Sequence, residues 1–251
     1  MKLGKKPARE GAIKLKFRRY ANLSVLPTPP AEFGHDALVT QPWGMLGNNN
    51  YGDCVWAGAA HETMLWNADA SRIVQFTDAG VLSDYAAVTG FDPADPNTDQ
   101  GTDMAAAAAY RRATGVIDAA GARHLVGAYL AITAGDLAEL LTAAYVFGTV
   151  GIGITFPDSA MAQFNAGQPW DVVPGSTIEG GHYVPFLARR GGFTVVDTWA
   201  QEQGMTDAFT AANNDESVVY FSQEFLTAGQ SLEGFDTEQL NADLAALQPA
   251  T

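Results

Sequence analysis

The pattern of apolar and polar positions divides the chain near residue 148. Before it, apolar residues recur at helical spacing. From Cys54 to Leu65 nearly every residue is apolar or small, which predicts a buried helix starting at or near Cys54, with Asp53 as its N-cap. Thr77 to Val88 reads as an amphipathic helix. Asp103 to Thr114 reads as another, in which five alanines, Ala105 to Ala109, allow close packing and Gly115 marks the stop. Thr133 to Phe147 is the last of this half, with Asp136 and Glu139 in its first turns and leucines at 137, 140 and 141. After Gly148 the segments are short and β-rich: Thr149 to Phe156, His182 to Ala188, Phe193 to Asp197 and Ser217 to Ser222. Turns such as Arg190-Gly191-Gly192 and Ala212 to Asp215 separate them. Asp236 to Ala246 reads as a short acidic amphipathic helix. No internal repeat is visible. Helices first and strands second predict an α+β domain with two lobes.

The first 30 residues keep no period and end in Leu26-Pro27-Thr28-Pro29-Pro30, which is stiff and extended. Residues 1–36 are expected to form an arm running over the domain, 37–235 the domain, and 236–251 an acidic tail. Charge supports the division. Residues 1–19 hold eight basic residues and one acid, whereas the rest holds six basic residues and 27 acids. So acidic a body repels nucleic acid at long range. The basic arm has two readings: contact with DNA, RNA or another anionic partner, or docking on the chain's own acidic body. No apolar run approaches the ~18 residues of a membrane span, and Ala143 to Phe156, broken by glycines, reads as a buried strand. No membrane association is expected. The basic N-terminus lacks the apolar stretch of a secretory signal. The single cysteine, Cys54, excludes an intramolecular disulfide and fits a reducing compartment or an assembly site inside a cell. A cytoplasmic or virion-associated location is the expectation.

A lone cysteine is more often a small buried hydrophobe than a nucleophile. Its surroundings argue otherwise here. Thiol chemistry needs an available thiolate, a base that takes and returns the proton, and a group that holds the base. A helix N-terminus lowers a thiol pKa through its unpaired N–H groups and dipole, and Cys54 is placed there. Of four histidines, His35 lies in the arm and His124 in a loop-like segment, where both are expected to be solvated. His61 is two helical turns from Cys54, too far along the helix to reach it. His182 follows Gly180-Gly181 and opens a strand, and the next strand ends in Val195-Val196-Asp197-Thr198-Trp199. Adjacent strands would set the Asp197 carboxylate beside the His182 ring.

In this order and spacing, 128 residues from Cys54 to His182 and 15 more to Asp197, the sequence resembles the papain-like cysteine peptidases. Tyr51-Gly52-Asp53-Cys54-Val55-Trp56-Ala57 looks like that family's cysteine loop entering its central helix. Gly181-His182-Tyr183-Val184 is similar to its histidine strand, and Val196-Asp197-Thr198-Trp199 to its Lys-Asn-Ser-Trp segment. The likeness covers roughly residues 43–222, and the whole chain is most similar to papain-like proteins of actinobacteria and their phages. It implies a two-lobed α+β fold with a helical N-terminal half, a central helix starting at Cys54 and an antiparallel C-terminal half. It further implies Cys54 as nucleophile, His182 as base and acid, Asp197 as orienting group and Asn48 as oxyanion donor. Trp199 would shield the Asp197–His182 hydrogen bond, and Gly181 would support the site. No metal or cofactor is implied. Several positions depart from the family pattern: Tyr51 stands where a disulfide cysteine is usual, the aromatic residue after the nucleophile has moved to Trp56, and Asn48 is one methylene shorter than glutamine. Asp53 puts a carboxylate beside the thiol, and Asp197 replaces the more usual asparagine.

Two functions from different classes follow. One is a thiol hydrolase acting on a peptide or protein substrate, cleaving peptide or isopeptide bonds through an acyl-enzyme. The other is a catalytically weak or inactive papain-like fold serving as a structural component, such as a phage virion protein, anchored by its arm. Cell-wall amidopeptidases and transglutaminases share the residue order and rank lower; the former usually have a shorter Cys-to-His gap.

Overall fold

Among the residues that the computed structural model describes, 1–222 and 234–246, there are nine strands and eight α-helices. The strands are β1 (Phe33–Gly34), β2 (Val116–Ile117), β3 (Arg123–His124), β4 (Ala128–Ile132), β5 (Gly151–Pro157), β6 (Ile178–Arg190), β7 (Phe193–Thr198), β8 (Gln201–Met205) and β9 (Asn214–Phe221). The helices are α1 (Phe17–Tyr20), α2 (Cys54–Asp69), α3 (Asp78–Thr89), α4 (Met104–Ala113), α5 (Leu137–Phe147), α6 (Asp158–Asn165), α7 (Asp207–Asn213) and α8 (Thr237–Ala246). Seven strands form one antiparallel sheet in the order β4-β9-β5-β6-β7-β8, with β1 added to β6. Strand β6 is the spine: its first half pairs with β5, where His182 lies opposite Ile154, and its second half pairs with β7 and β1.

Helix α2 is apolar all round and is accordingly buried all round, thirteen of its sixteen residues being inaccessible. It packs on β6 on one side and on α3 and α4 on the other. Close approach to the sheet depends on Gly58, since a methyl group there would stand 2.5 Å from the ring of Tyr183 on β6. Two large apolar clusters result, with a smaller one of Leu65, Leu187, Ala188 and Val195. One lies about the sheet, α5 and α1; the other holds Cys54, Trp56, Tyr85 and Tyr183 with the alanines of α4. The polar residues of α2 inside this packing are partnered. Glu62 accepts from Arg111 at 2.6 Å and from the Tyr183 hydroxyl, while Arg111 lies 3.8 Å over the ring of Tyr220.

Much of the arm is part of the core, which corrects the expectation that residues 1–36 merely run over the domain. Phe17 and Tyr20 are buried in the sheet-side cluster, where Phe17 meets Phe147 and Phe235, and Leu15 pairs with the edge of β4. Four of the arm's eight basic residues dock on the chain's own acids: Lys5 on Asp215 and Glu216, Arg9 on Asp103, Arg18 on Asp136 and Glu139, and Arg19 on Asp243. His35 and His124 likewise pair with acids, Asp69 at 3.0 Å and Asp118 at 2.9 Å, rather than standing free in solvent. Asp53 precedes α2 as expected, but its side chain accepts no helix N–H. Strands β4 and β8 and helices α6 and α7 lie outside the sequence expectation; β8, Gln-Glu-Gln-Gly-Met, is polar and owes its strand to the hairpin with β7. The C-terminal helix forms over Thr237–Ala246, while 223–233 and 247–251 lie outside the described residues.

Glu62→Ala leaves the Arg111 guanidinium buried without its carboxylate. The variant is expected to lose about 3–5 kcal/mol, read as a lower urea midpoint at unchanged slope.

Candidate active site

The first residue of α2 and the middle of β6 meet at the seam between the two clusters. Cys54 and His182 line one small cavity together with Asn48, His61, Asp197 and Trp199, and about 10 Å³ is left between them, room for one water at most. Cys54 is 2% exposed and His182 1%. The indole of Trp199 stacks on the His182 ring at 4.6 Å and 19°, and Phe156 meets the ring edge-on at 5.6 Å. Trp199 holds that position from the left-handed region, with φ 49, followed by Ala200 at φ 61, in the two-residue turn between β7 and β8. For a bulky residue this backbone is uncommon and strained, as active-site residues often are.

The expected Asp197–His182 hydrogen bond is absent. His182 Nε2 meets Thr198 Oγ1 at 2.8 Å, whereas Asp197 Oδ2 lies 2.6 Å from Nδ1 of His61. The reason is strand parity: neighbours 197 and 198 point to opposite faces of β7, and Thr198 is the one turned to the histidine. His182 Nδ1 is buried with no hydrogen-bond partner, in the cavity shared with Cys54; in the tautomer whose Nε2–H donates to Thr198, Nδ1 is the nitrogen open to a proton. His61 cannot reach the thiol from its place on the helix, but it can reach Asp197. Its Nε2 faces the carbonyls of Trp43 and Gly44 at 3.0 and 3.2 Å, so both ring nitrogens face acceptors and both must carry hydrogen. Burial pulls the His61 pKa down, but Asp197 and the two carbonyls outweigh it and the net shift is upward. A buried imidazolium–carboxylate pair thus ties α2 to β7 and to the loop at Trp43.

Asn48 lies in that loop. Its Nδ2 donates to the carbonyls of Lys2 and Tyr51 at 3.2 and 3.0 Å and reaches Asp53 Oδ1 at 3.3 Å. The Lys2 carbonyl belongs to the arm, and residues 1–6 run through the site. Gly4 N–H and Lys5 N–H donate to Gly181 O at 3.2 and 3.0 Å, Thr102 N–H donates to Gly4 O at 2.7 Å, and Trp199 Nε1 donates to Lys2 O at 3.4 Å. Gly181 serves this approach, since a methyl group there would stand 2.4 Å from Lys5 O. Thr102 is held in turn by Trp56 Nε1 at 3.0 Å. The functional parts hidden from sequence reasoning are therefore Thr198, His61 and the arm itself. The alternation along β7 and the heptad from Cys54 to His61 were their only signals.

The arm fills the space beside Cys54. Burial pushes the Cys54 thiol up to about 12; Asp53 adds to that, while backbone N–H groups of Tyr183 and Gly4 oppose it. Gly4 of the arm is thus beside the sulfur. Asp53 is itself raised well above the usual carboxylate range, chiefly by burial, against its hydrogen bond from Asn48. Burial alone lowers His182 to about 3.

The chain has the papain-like α+β fold. Xylellain, a cysteine protease from Xylella fastidiosa, superposes with a TM-score of 0.59 over 88% of this chain and 98% of its own, at 14% identity. Procathepsin B S9 from Trypanosoma congolense gives 0.60 over 86% of each chain at 8% identity. Digestive procathepsin L 3 from the larval midgut of Tenebrio molitor gives 0.58 over 84% of this chain and 76% of its own at 12%. At such identities the likeness is one of fold. No protein-family model matches the chain, and no curated protein matches it.

The lowered His182 has a sign that can be checked. Below its ordinary value of 6.5 the unfolded histidine takes up a proton that the folded one refuses, so its contribution is intact above 6.5 and lost as pH falls toward about 3. Between pH 6 and 4 the wild type should lose about 1.4 kcal/mol per pH unit relative to His182→Gln. Urea midpoints at each pH measure it, and parallel curves for the two proteins would contradict a neutral His182.

Proposed function

We propose that this chain is a thiol hydrolase that cleaves peptide or isopeptide bonds through a Cys54 acyl-enzyme, held latent by its own residues 1–6. The observation that carries the reading is the pairing of a helix-start thiol with an imidazole whose Nδ1 is unpartnered, at the point where a groove already holds an extended peptide. The papain-like fold supports it. Two of the structures sharing that fold are named as pro-forms, which agrees with latency. A relationship to actinobacterial and phage proteins rests on the chain's motifs and basic arm alone.

Once the arm leaves, water reaches the cavity and the burial that holds both groups neutral is relieved. Cys54 Sγ passes its proton to His182 Nδ1, and the positive end of α2 stabilises the thiolate. The sulfur attacks the substrate carbonyl carbon. The Asn48 amide, which in the resting chain holds the Lys2 carbonyl, and the Cys54 N–H then receive the oxyanion; such a donor contributes roughly 2.7–4 kcal/mol in a comparable hydrolase. The C–N bond breaks as His182 returns its proton to the leaving amine. Water, deprotonated by the same nitrogen, then hydrolyses the thioester, the acid leaves and the thiol is regenerated. Thr198 and the Trp199 stack keep the imidazole in place throughout. The His61–Asp197 pair secures the loop that carries Asn48.

A protease site engineered into the exposed stretch 7–10 allows the arm to be cut and removed after folding. Iodoacetamide at neutral pH should label Cys54 in the intact chain about tenfold or more slowly than free cysteine, and in the cut chain faster than free cysteine. His182→Ala should remove the gain. If cutting leaves Cys54 as unreactive as before, the proposed function fails.

A further inference from the structure

The groove beside Cys54 fits any extended backbone but carries one selective side-chain slot. Glycines form its walls: a methyl group on Gly101 would stand 2.3 Å from the Gly4 carbonyl oxygen, and one on Gly181 would block Lys5 O. The bonds holding the arm's backbone, Lys5 N–H to Gly181 O and Lys6 N–H to Thr102 O, are ones any peptide can make. The side chain at position 5 differs. Lys5 is 4% exposed, and its Nζ donates to Asp215 Oδ2 at 2.8 Å and to Lys6 O at 3.0 Å, with Glu216 Oε1 at 3.2 Å. Gly153 makes the room, because a methyl group there would stand 2.3 Å from Lys5 Cε.

The slot offers more than one lysine uses. Two carboxylates face a single ammonium, and Asp215 Oδ1 is buried with no partner. Burial and the like charge of Asp215 raise the Glu216 pKa, and Lys5 opposes that rise. An apolar side chain would leave two half-buried acids side by side with no cation between them, whereas a guanidinium, with five N–H donors, reaches more of the acceptors. The side of the scissile bond also follows. Lys2, whose carbonyl accepts from Trp199, lies on the side of the imidazole that protonates the leaving amine, so residues 1–6 run opposite to a substrate, whose amine side is C-terminal; Lys5, beyond Gly4, then lies on the acyl side.

We propose that this slot is the specificity subsite of the hydrolase, selecting lysine or arginine next to the acyl residue, with Asp215 and Glu216 as its selecting groups and Lys5 as its built-in occupant. The proposal rests on the reading of Cys54 as nucleophile, so its test has two separate readouts.

The first needs no chemistry. The chain is cut in its exposed 7–10 stretch, freed of the arm and carries Cys54→Ala; fluorescent peptides spanning residues 1–8 are titrated against it. The Lys5→Arg peptide should bind at least as tightly as the native one. The Lys5→Leu and Lys5→Glu peptides should bind about tenfold or more weakly. Asp215→Asn with Glu216→Gln should make the native and Lys5→Leu peptides equal. Equal binding of those two peptides to the unaltered slot overturns the proposal. The second readout uses peptidyl chloromethyl ketones ending in Lys-Gly or Leu-Gly on the cut chain with Cys54 intact. Labelling about tenfold faster by Lys-Gly is expected. Equal rates, both above that of free cysteine, overturn the slot and leave the nucleophile standing. Rates no higher than free cysteine for both reagents overturn the hydrolase reading and the subsite with it.

Discussion

Helix α2 must lie almost against strand β6, and nearly everything at the site depends on that contact. Gly58 permits it by having no side chain where the Tyr183 ring passes. One turn earlier on the same helix is Cys54, and one residue earlier on the same strand is His182. A single steric allowance therefore brings together a thiol and an imidazole 128 residues apart in sequence. The Tyr183 hydroxyl then donates to Glu62, one turn further along α2, so the contact is fixed by a buried polar link as well as by shape.

Three charged groups at this seam are answered from another element. Arg111 of α4 meets Glu62 of α2, His61 of α2 meets Asp197 of β7, and Lys5 of the arm meets Asp215 and Glu216 of β9. Pairs of this kind add little net stability compared with apolar packing, yet losing one partner is costly. They therefore penalise misplacement of an element more than they strengthen the fold. The sheet and α2 supply the bulk of the packing, and the ion pairs fix how helix, strand and arm are registered on one another.

Chemistry-bearing residues were legible where their meaning is local. The apolar run after Cys54 announced a buried helix, and the glycine pair before His182 announced a tight site. The order of cysteine, histidine and acid pointed to the fold. Partnerships were not legible, because they depend on which face of a strand a residue takes. Asp197 and Thr198 differ by one position and so by one side of β7, and the carboxylate went to His61. The Trp199-Ala200 turn escaped notice because neither residue favours a left-handed backbone; only the packing of the indole on His182 explains it. The arm misled by composition: its lysines and prolines suggest a segment running over the domain, while Phe17 and Tyr20 anchor it in the core and Lys5 is sealed in the cleft.

That anchoring changes what the occupying segment has to do. Residues 1–6 are joined by a short exposed stretch to a helix fixed in the core, so they meet the cleft as a tethered ligand at an effective concentration on the order of millimolar. A weak intrinsic affinity suffices to keep the groove full against dilute competitors. Severing the connection leaves every contact as it was and removes only the local concentration. The released segment is then lost to bulk volume and does not return, so one cut acts as a one-way switch.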